Sequence, residues 1–384
     1  TSTECSNYCD YTDEKWIKSI FEFISPKPYE WLFVVLFIVV FIFGLVGNCL
    51  VCFAVWKNNH LKTVTNYFLV NLAIADFSVI LICLPPTFIH DIMESWFLGL
   101  AMCKIVVYLQ KVSILVSVLS LTAISVERYL AICHPLTFIE TKFKTRLAII
   151  IIWFISLTTA IPDLVFMTLY PDTVIPDSIR PLLTSCIPYD AKKEVIYQLF
   201  LTVAFYFLPC IIMGFAYIKI AICLWASTTA GPASTDTPSN SQASCLRSRR
   251  RTAKMLIVVV IGFIVCYLPV YLLNILRYIG VLENSSDRDT VVAVAMLSHW
   301  LCYFNSAINP VIYNFMSGKF RKEFMDSCLC WRKCMPYCIK GEDSSESSTL
   351  TTKGSPYRQN YGNFGRTCNV TSRTEMSRLQ NQCS

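Results

Sequence analysis

From residue 31 to residue 56 the chain runs for twenty-six residues without one formally charged side chain. A helix that crosses a bilayer needs about 20 mostly apolar residues, and few other structures can use so long a run. The pattern recurs at residues 64–89, 103–133, 147–169, 195–225, 255–276 and 291–313. Seven such stretches predict an all-α membrane protein, a bundle of seven transmembrane helices. Composition agrees, with 54% of residues hydrophobic and 15% charged, against roughly 45–50% and about 25% in soluble domains. With 12 Gly and 25 Phe the chain is neither collagen-like, disordered nor nucleic-acid-binding. No stretch before residue 31 reads as a cleavable signal, so the first span is expected to be its own insertion signal.

Lys and Arg in short loops set the orientation. Lys57, Lys62, Lys142, Lys144, Arg146, Arg247, Arg249, Arg250, Arg251 and Lys254 fall in the odd loops, twice the number in the even ones. The odd loops are therefore expected to be cytoplasmic, with the N-terminus outside and the C-terminus inside. The net charge of +7 then divides into +13 on cytoplasmic loops and tail and −6 outside, with the spans balanced. The predicted organisation is an extracellular segment (1–30), the bundle (31–313), a membrane-proximal segment (314–340) and a polar, disordered tail (341–384). Residues 226–246, rich in Ser, Thr, Pro and Ala, read as a loop. In residues 13–24, Trp16, Ile17, Ile20, Phe21 and Ile24 recur at helical spacing. That predicts an amphipathic helix, lying either over the bundle mouth or on the lipid surface.

Cys103 and Cys186 fall on the oxidising side, where a disulfide would tie the long outer loop to span three; two free thiols are the alternative. Cys328, Cys330, Cys334 and Cys338 follow the last span among basic residues, a setting for palmitate more than for a zinc cluster. Asn284 opens an outer-loop glycosylation sequon. Ionisable residues inside spans default to function. Asp76, with Ser117, Asn305 and Ser306 as polar company, is either a small-cation site, of which sodium is the candidate, or a protonated, hydrogen-bonded acid. Glu127-Arg128-Tyr129 at the inner end of span three is either a proton-released latch or a static interfacial pair. Pro310, Pro209 and Pro269 remove backbone donors and predict kinks.

Gly47-Asn48, Leu72-Ala73-Ile74-Ala75-Asp76, Glu127-Arg128-Tyr129, Trp153, Pro209 with Tyr217, Cys266-Tyr267-Leu268-Pro269 and Asn309-Pro310-Val311-Ile312-Tyr313 stand one motif to a helix and in order. The chain resembles the rhodopsin-like family of G-protein-coupled receptors over about residues 31–325. The Cys103 and Cys186 pair fits that family, and residues 315–324 resemble its short amphipathic eighth helix. Within the family, Pro28-Tyr29-Glu30-Trp31, Thr63-Val64-Thr65-Asn66-Tyr67-Phe68, Asp91-Ile92-Met93-Glu94-Ser95-Trp96 and Ser298-His299-Trp300 are similar to orexin receptors and their invertebrate relatives, the allatotropin receptors. Glu127-Arg128-Tyr129 for Asp-Arg-Trp, Asp163 for a pocket Gln and Gln198 for a His depart from vertebrate orexin receptors, and tip the resemblance toward the allatotropin type.

The resemblance implies an amidated neuropeptide ligand, bound by Thr87, Asp91, Gln110, Tyr267, Asn274, His299 and Tyr303, with Asp163 as an added acid. Gln110 stands where aminergic receptors carry an Asp, and a carboxamide both donates and accepts hydrogen bonds. The acidic outer face suits a basic peptide. Activation would move span six outward and rearrange Arg128, Tyr217, Asn309, Pro310 and Tyr313, with Glu127 and Tyr129 beside them. The opening would take the C-terminal helix of a heterotrimeric G protein, of Gq type, against Leu136, Arg249, Arg250, Arg251 and Lys254. Arrestin and a receptor kinase are the partners implied at the Ser/Thr-rich tail. A membrane enzyme or transporter is the alternative from another class, but no metal, nucleophile or phosphate-loop motif and no internal repeat supports either.

Overall fold

In the computed structural model, residues 13–134, 141–171, 179, 183–229, 240–279 and 288–326 are described. Twelve α-helices, a 3-10 turn (Asn59–Leu61), a π-helical turn and one hairpin are found among them. The first is α1 (Asp13–Ile24), which matches the predicted amphipathic segment. Its Ile20 and Ile24 pack with Ile179 and Leu183 of the long outer loop, so its apolar face rests on protein. Phe21, expected on that face, is exposed.

Among the described residues, seven helical stretches are long and apolar enough to cross a membrane. The first is α2 (Glu30–Lys57), which begins one residue before its charge-free run. Glu30 is buried and turns back to accept the backbone N–H of Lys27 at 2.9 Å, an acid at the positive end of a helix.

The second span was expected to be continuous over 64–89. It is instead α3 (Val64–Ile82) followed by α4 (Leu84–Met93), broken at Cys83. Pro85 and Pro86 lack the N–H groups that would continue the ladder, so α4 begins with the prolines in its first turn. α4 ends at Glu94 in the left-handed region, φ 48°, where Glu94 pairs with Arg288 at 2.6 Å.

The central helix is α5 (Gly99–Cys133), buried along much of its length. By contrast α6 (Lys142–Thr159) buries only Thr145, Ile152 and Ser156 and turns most of its surface to lipid. Pro162 restarts it as α7 (Ile161–Phe166), which ends earlier than the expected 169. The chain then enters β1 (Met167–Pro171), paired antiparallel with β2 (Thr184–Pro188) and with Leu169 opposite Cys186. Cys186 is disulfide-bonded to Cys103 on α5, Cα to Cα 5.8 Å. Trp96 N–H also donates to Thr184 O at 2.7 Å, so two outer loops are fastened together over the bundle.

Span five starts at Ala191, four residues before its expected 195, because Asp190 caps α8 (Ala191–Thr202) by accepting the N–H groups of Lys192 and Lys193. A π-helical turn over Val203–Phe207 follows, and the N–H of Leu208 reaches back to Val203 O. Pro209 lies at the start of α9 (Leu208–Thr229) and cannot offer an N–H to the ladder. The expected loop at 226–246 is therefore helical at its edges: α9 runs to Thr229 and α10 (Asn240–Tyr278) begins at Asn240. The last span is α11 (Arg288–Met316), after which α12 spans residues 318–326, three residues later than the expected start at 315.

Polar side chains tie the core. Asn71 on α3 donates to Ser120 on α5 at 2.8 Å and accepts Trp153 Nε1–H of α6 at 2.7 Å. Asn48 on α2 donates to Ser306 O of α11 at 3.0 Å. Beside it Gly47 lets the two helices approach, since a Cβ there would lie 2.9 Å from Pro310 Cβ.

Candidate functional site

The outer ends of the helices enclose a cavity of about 760 Å³, walled on one side by Cys186, Ile187 and Pro188 of β2. Thr87, Asp91, Gln110, Asp163, Tyr267, Asn274, His299 and Tyr303, scattered over more than two hundred residues of sequence, all line it.

Three of the side chains form a closed triangle. Gln110 Nε2 donates to Thr87 Oγ1 at 2.8 Å and to Tyr303 OH at 2.7 Å, and Tyr303 OH donates to Thr87 Oγ1 at 2.9 Å. Both amide hydrogens of Gln110 are thereby used, and its Oε1 has no hydrogen-bond partner among the described residues. Asp91, buried, meets His299 Nδ1 through both oxygens at 3.0 Å, with His90 Nδ1 at 3.7 Å from its Oδ1. Tyr267 is buried and packs on Phe263, ring centroids 4.7 Å apart. Asp163 Oδ2 accepts Tyr197 OH at 2.9 Å.

His90, Lys111, Glu194 and Gln198 also line the cavity, although the sequence reading gave none of them a binding role. The apolar run of span five begins at Val195, which leaves Glu194 outside it. The signal that places it on the helix is Asp190, a cap residue followed by a full turn of helix formers.

Below the cavity floor Asp76 is fully buried, and Asn309 Nδ2 donates to its Oδ2 at 2.9 Å. Ser117 and Ser306 lie beside it. Asn305 is buried but makes no hydrogen bond to Asp76; the amide that does belongs to Asn309. Asp76 Oδ1, Ser117 Oγ and Asn309 Oδ1 are buried without a partner. With the Asp76 carboxylate they form an oxygen-only donor set, which suits a hard cation. Groups of three or more His, Cys, Asp or Glu able to hold a metal do not occur among the described residues.

Residues 47–313 match the 7 transmembrane receptor (rhodopsin family). The chain is 35% identical to the RYamide receptor of Drosophila melanogaster over 329 residues, 84% of this chain and 66% of that protein. It is also 31% identical to the QRFP-like peptide receptor of Branchiostoma floridae over 302 residues, 77% of each. The chain belongs to the rhodopsin family of seven-transmembrane receptors. It is a multi-pass plasma-membrane receptor of a family that is not enzymatic.

At the receptor's cytoplasmic end Glu127 is paired with Arg128, whose Nε donates to Glu127 Oε2 at 3.1 Å, and Thr65 donates to the same oxygen at 3.2 Å. Tyr129 turns away, its hydroxyl 3.1 Å from His134 Nε2. Tyr217 OH lies 3.2 Å from Ser125 Oγ. Tyr313 is buried against Phe320 of α12, its hydroxyl without a partner. Arg250 donates to Leu224 O of α9 at 3.1 Å, and Arg251 to Met316 O of α11 at 2.9 Å. These bonds hold the inner end of α10 to both neighbours, while Lys254 is exposed. Leu136, Asn284, Cys328, Cys330, Cys334 and Cys338 lie outside the described residues, as does the side chain of Arg249.

Proposed function

We propose that this receptor answers a C-terminally amidated neuropeptide. The observation that carries the reading is Gln110, fixed through both amide hydrogens to Thr87 and Tyr303 and left with an open Oε1 on a cavity large enough for a peptide end. That oxygen accepts an N–H, which a terminal carboxamide offers and a terminal carboxylate does not. One relative is named for an amide and the other for a peptide. Two ligand sets follow. The runs 63–68, 91–96 and 298–300 favour an allatotropin or orexin type of peptide, and the relatives favour an RYamide or QRFP-like type.

Binding acts through its differential affinity for two states. Contacts at Gln110 and Tyr267 favour the state in which the inner half of α10 has left Leu224 and Met316. Arg128, Tyr217 and Tyr313 then reorganise around the opening, and a heterotrimeric G protein of Gq type docks against Leu136 and the basic run 249–254. Sodium, held by Asp76, Ser117, Ser306 and Asn309, would supply positive charge that favours the closed state. Arrestin and a receptor kinase use the Ser/Thr-rich tail.

The test is a calcium assay on the full-length receptor against allatotropin, orexin, RYamide and QRFP-type peptides, each as amide and as free acid. The amide is expected to be about 10-fold or more the stronger, the worth of one good hydrogen bond, and Gln110→Ala to erase the difference. Equal potency of amide and acid in the wild type overturns the reading. Full peptide-evoked nucleotide exchange by Arg128→Ala at equal expression overturns the transmission scheme.

A further inference from the structure

One group of charges in the outer cavity is unbalanced, and the amide reading leaves it idle. Asp163 on α7 is 1% exposed and Glu194 on the first turn of α8 is 8% exposed, and both line the cavity. Glu194 Oε1 accepts Gln198 Nε2–H at 2.6 Å, but Glu194 Oε2 is buried with no hydrogen-bond partner. The nearby cation, Lys111, gives its Nζ to Gln198 Oε1 at 2.9 Å, an amide and not a carboxylate. Lys111 and Glu194 both act electrostatically on Asp163. Arg277 also lines the cavity, yet no ion pair joins it to either acid among the described residues. Two carboxylates therefore face one ammonium, and the group is one positive charge short.

Gln198 maintains that shortage. Its oxygen faces Lys111 and its nitrogen faces Glu194, so it spaces the two and leaves the carboxylate uncancelled. A carboxylate oxygen held away from water without a donor is costly, and a bound cation would remove the cost. We propose that Asp163 and Glu194 form a second subsite of the cavity, which receives a cationic side chain of the peptide, a guanidinium or an ammonium. This rests on the reading of the cavity as the peptide site, and it adds what the second anchor recognises.

The test uses thermal unfolding of purified full-length receptor with millimolar L-argininamide, L-lysinamide or L-citrullinamide. All three probes share the α-amine and the carboxamide, and only the first two carry a side-chain cation. In the wild type a cationic probe is expected to raise Tm by about 2 °C more than citrullinamide does. The larger of the two responses identifies guanidinium or ammonium. The difference should vanish in Glu194→Gln, which keeps the volume and the bond to Gln198, and should shrink in Asp163→Asn. On an activating peptide, citrulline in place of the cationic residue should cost about 30-fold in the wild type and nothing in Glu194→Gln.

No extra shift from a cationic probe, or an extra shift that survives Glu194→Gln, overturns the subsite. If all three probes act alike and all fail on Gln110→Ala, the amide reading stands and the cation subsite falls. If the cationic probes still discriminate in Gln110→Ala and amide and acid peptides are equipotent, the subsite stands and the amide reading falls.

Discussion

Replacing Gly47 by alanine tests how closely the first and seventh spans approach. An added Cβ would stand 2.9 Å from Pro310 Cβ and 3.0 Å from its Cγ, where carbon atoms prefer roughly 3.5–4.0 Å. A proline ring inside a helix cannot rotate away, so the helices must part locally by roughly 0.5–1 Å. Such overpacking costs about 1–3 kcal/mol. The separation also stretches the adjacent bond from Asn48 Nδ2 to Ser306 O, now 3.0 Å, and its loss adds about 1 kcal/mol. A total of about 2–4 kcal/mol corresponds to a fall of about 4–8 °C in the Tm of detergent-solubilised receptor, at roughly 2 °C per kcal/mol. Gly214→Ala and Gly262→Ala are the controls, because a Cβ at either meets nothing within 4 Å. Alanine is the better helix former by up to about 1 kcal/mol, so both should hold Tm or raise it. A Gly47→Ala receptor that melts with the two controls would refute the packing argument.

Three further outcomes are expected. Cys103→Ser, Cys186→Ser and the double variant should each lose about 2–4 kcal/mol and the same fraction of surface expression, since all remove one bond; an additive double variant would count against it. Arg251→Ala frees α10 from Met316 O, and ligand-independent nucleotide exchange should rise about 3-fold, the effect of shifting the closed state by half a kcal/mol or more. Asp190→Ala should lower Tm by more than Asp190→Asn does, because Asn keeps the acceptor oxygen of the cap and loses only its charge. The backbone N–H of Lys193, and then its side chain, hold the Asp190 carboxyl below its ordinary 3.8. Its charge-dependent contribution is therefore whole above pH 3.8 and is lost as pH falls through the folded value; a wild type minus Asp190→Asn difference in Tm that grows on acidification would contradict the sign.

Hydropathy was enough to count the spans, because each must present apolar surface to lipid whatever its neighbours do. It could not locate the breaks. Pro85, Pro86 and Pro162 are visible in the sequence, but whether a proline kinks a helix, restarts it or is absorbed depends on the packing around it, and Pro269 and Pro310 lie within unbroken helices. The eight cavity residues were legible only through family resemblance, since no periodicity in one span says which face meets another span. Two of the overlooked residues share a cause. Lys111 and Glu194 are charged and were read as loop-edge or balancing charges, whereas the bundle buries Glu194 and gives Lys111 to Gln198. The ends of α9 and α10 were missed because Ser- and Thr-rich composition resembles a loop, while a long helix can extend into water on the strength of its packed half.

The interruption at Cys83 has a consequence for how such a receptor changes over evolutionary time. α3 carries Asp76 and Asn71, which bond to neighbouring spans, and α4 carries Thr87, His90 and Asp91, which line the cavity. In a continuous helix, gaining or losing one residue would rotate everything beyond it by about 100° relative to the rest. Here Pro85 and Pro86 leave the end of α3 without their ladder donors, and the disulfide-fastened loops anchor the far end. Insertions and deletions between Leu84 and Glu94 can therefore redraw what the mouth of the receptor recognises while the register of Asp76 with Asn309 stays intact. The cavity wall and the buried polar core are thereby carried on separate segments of the same span.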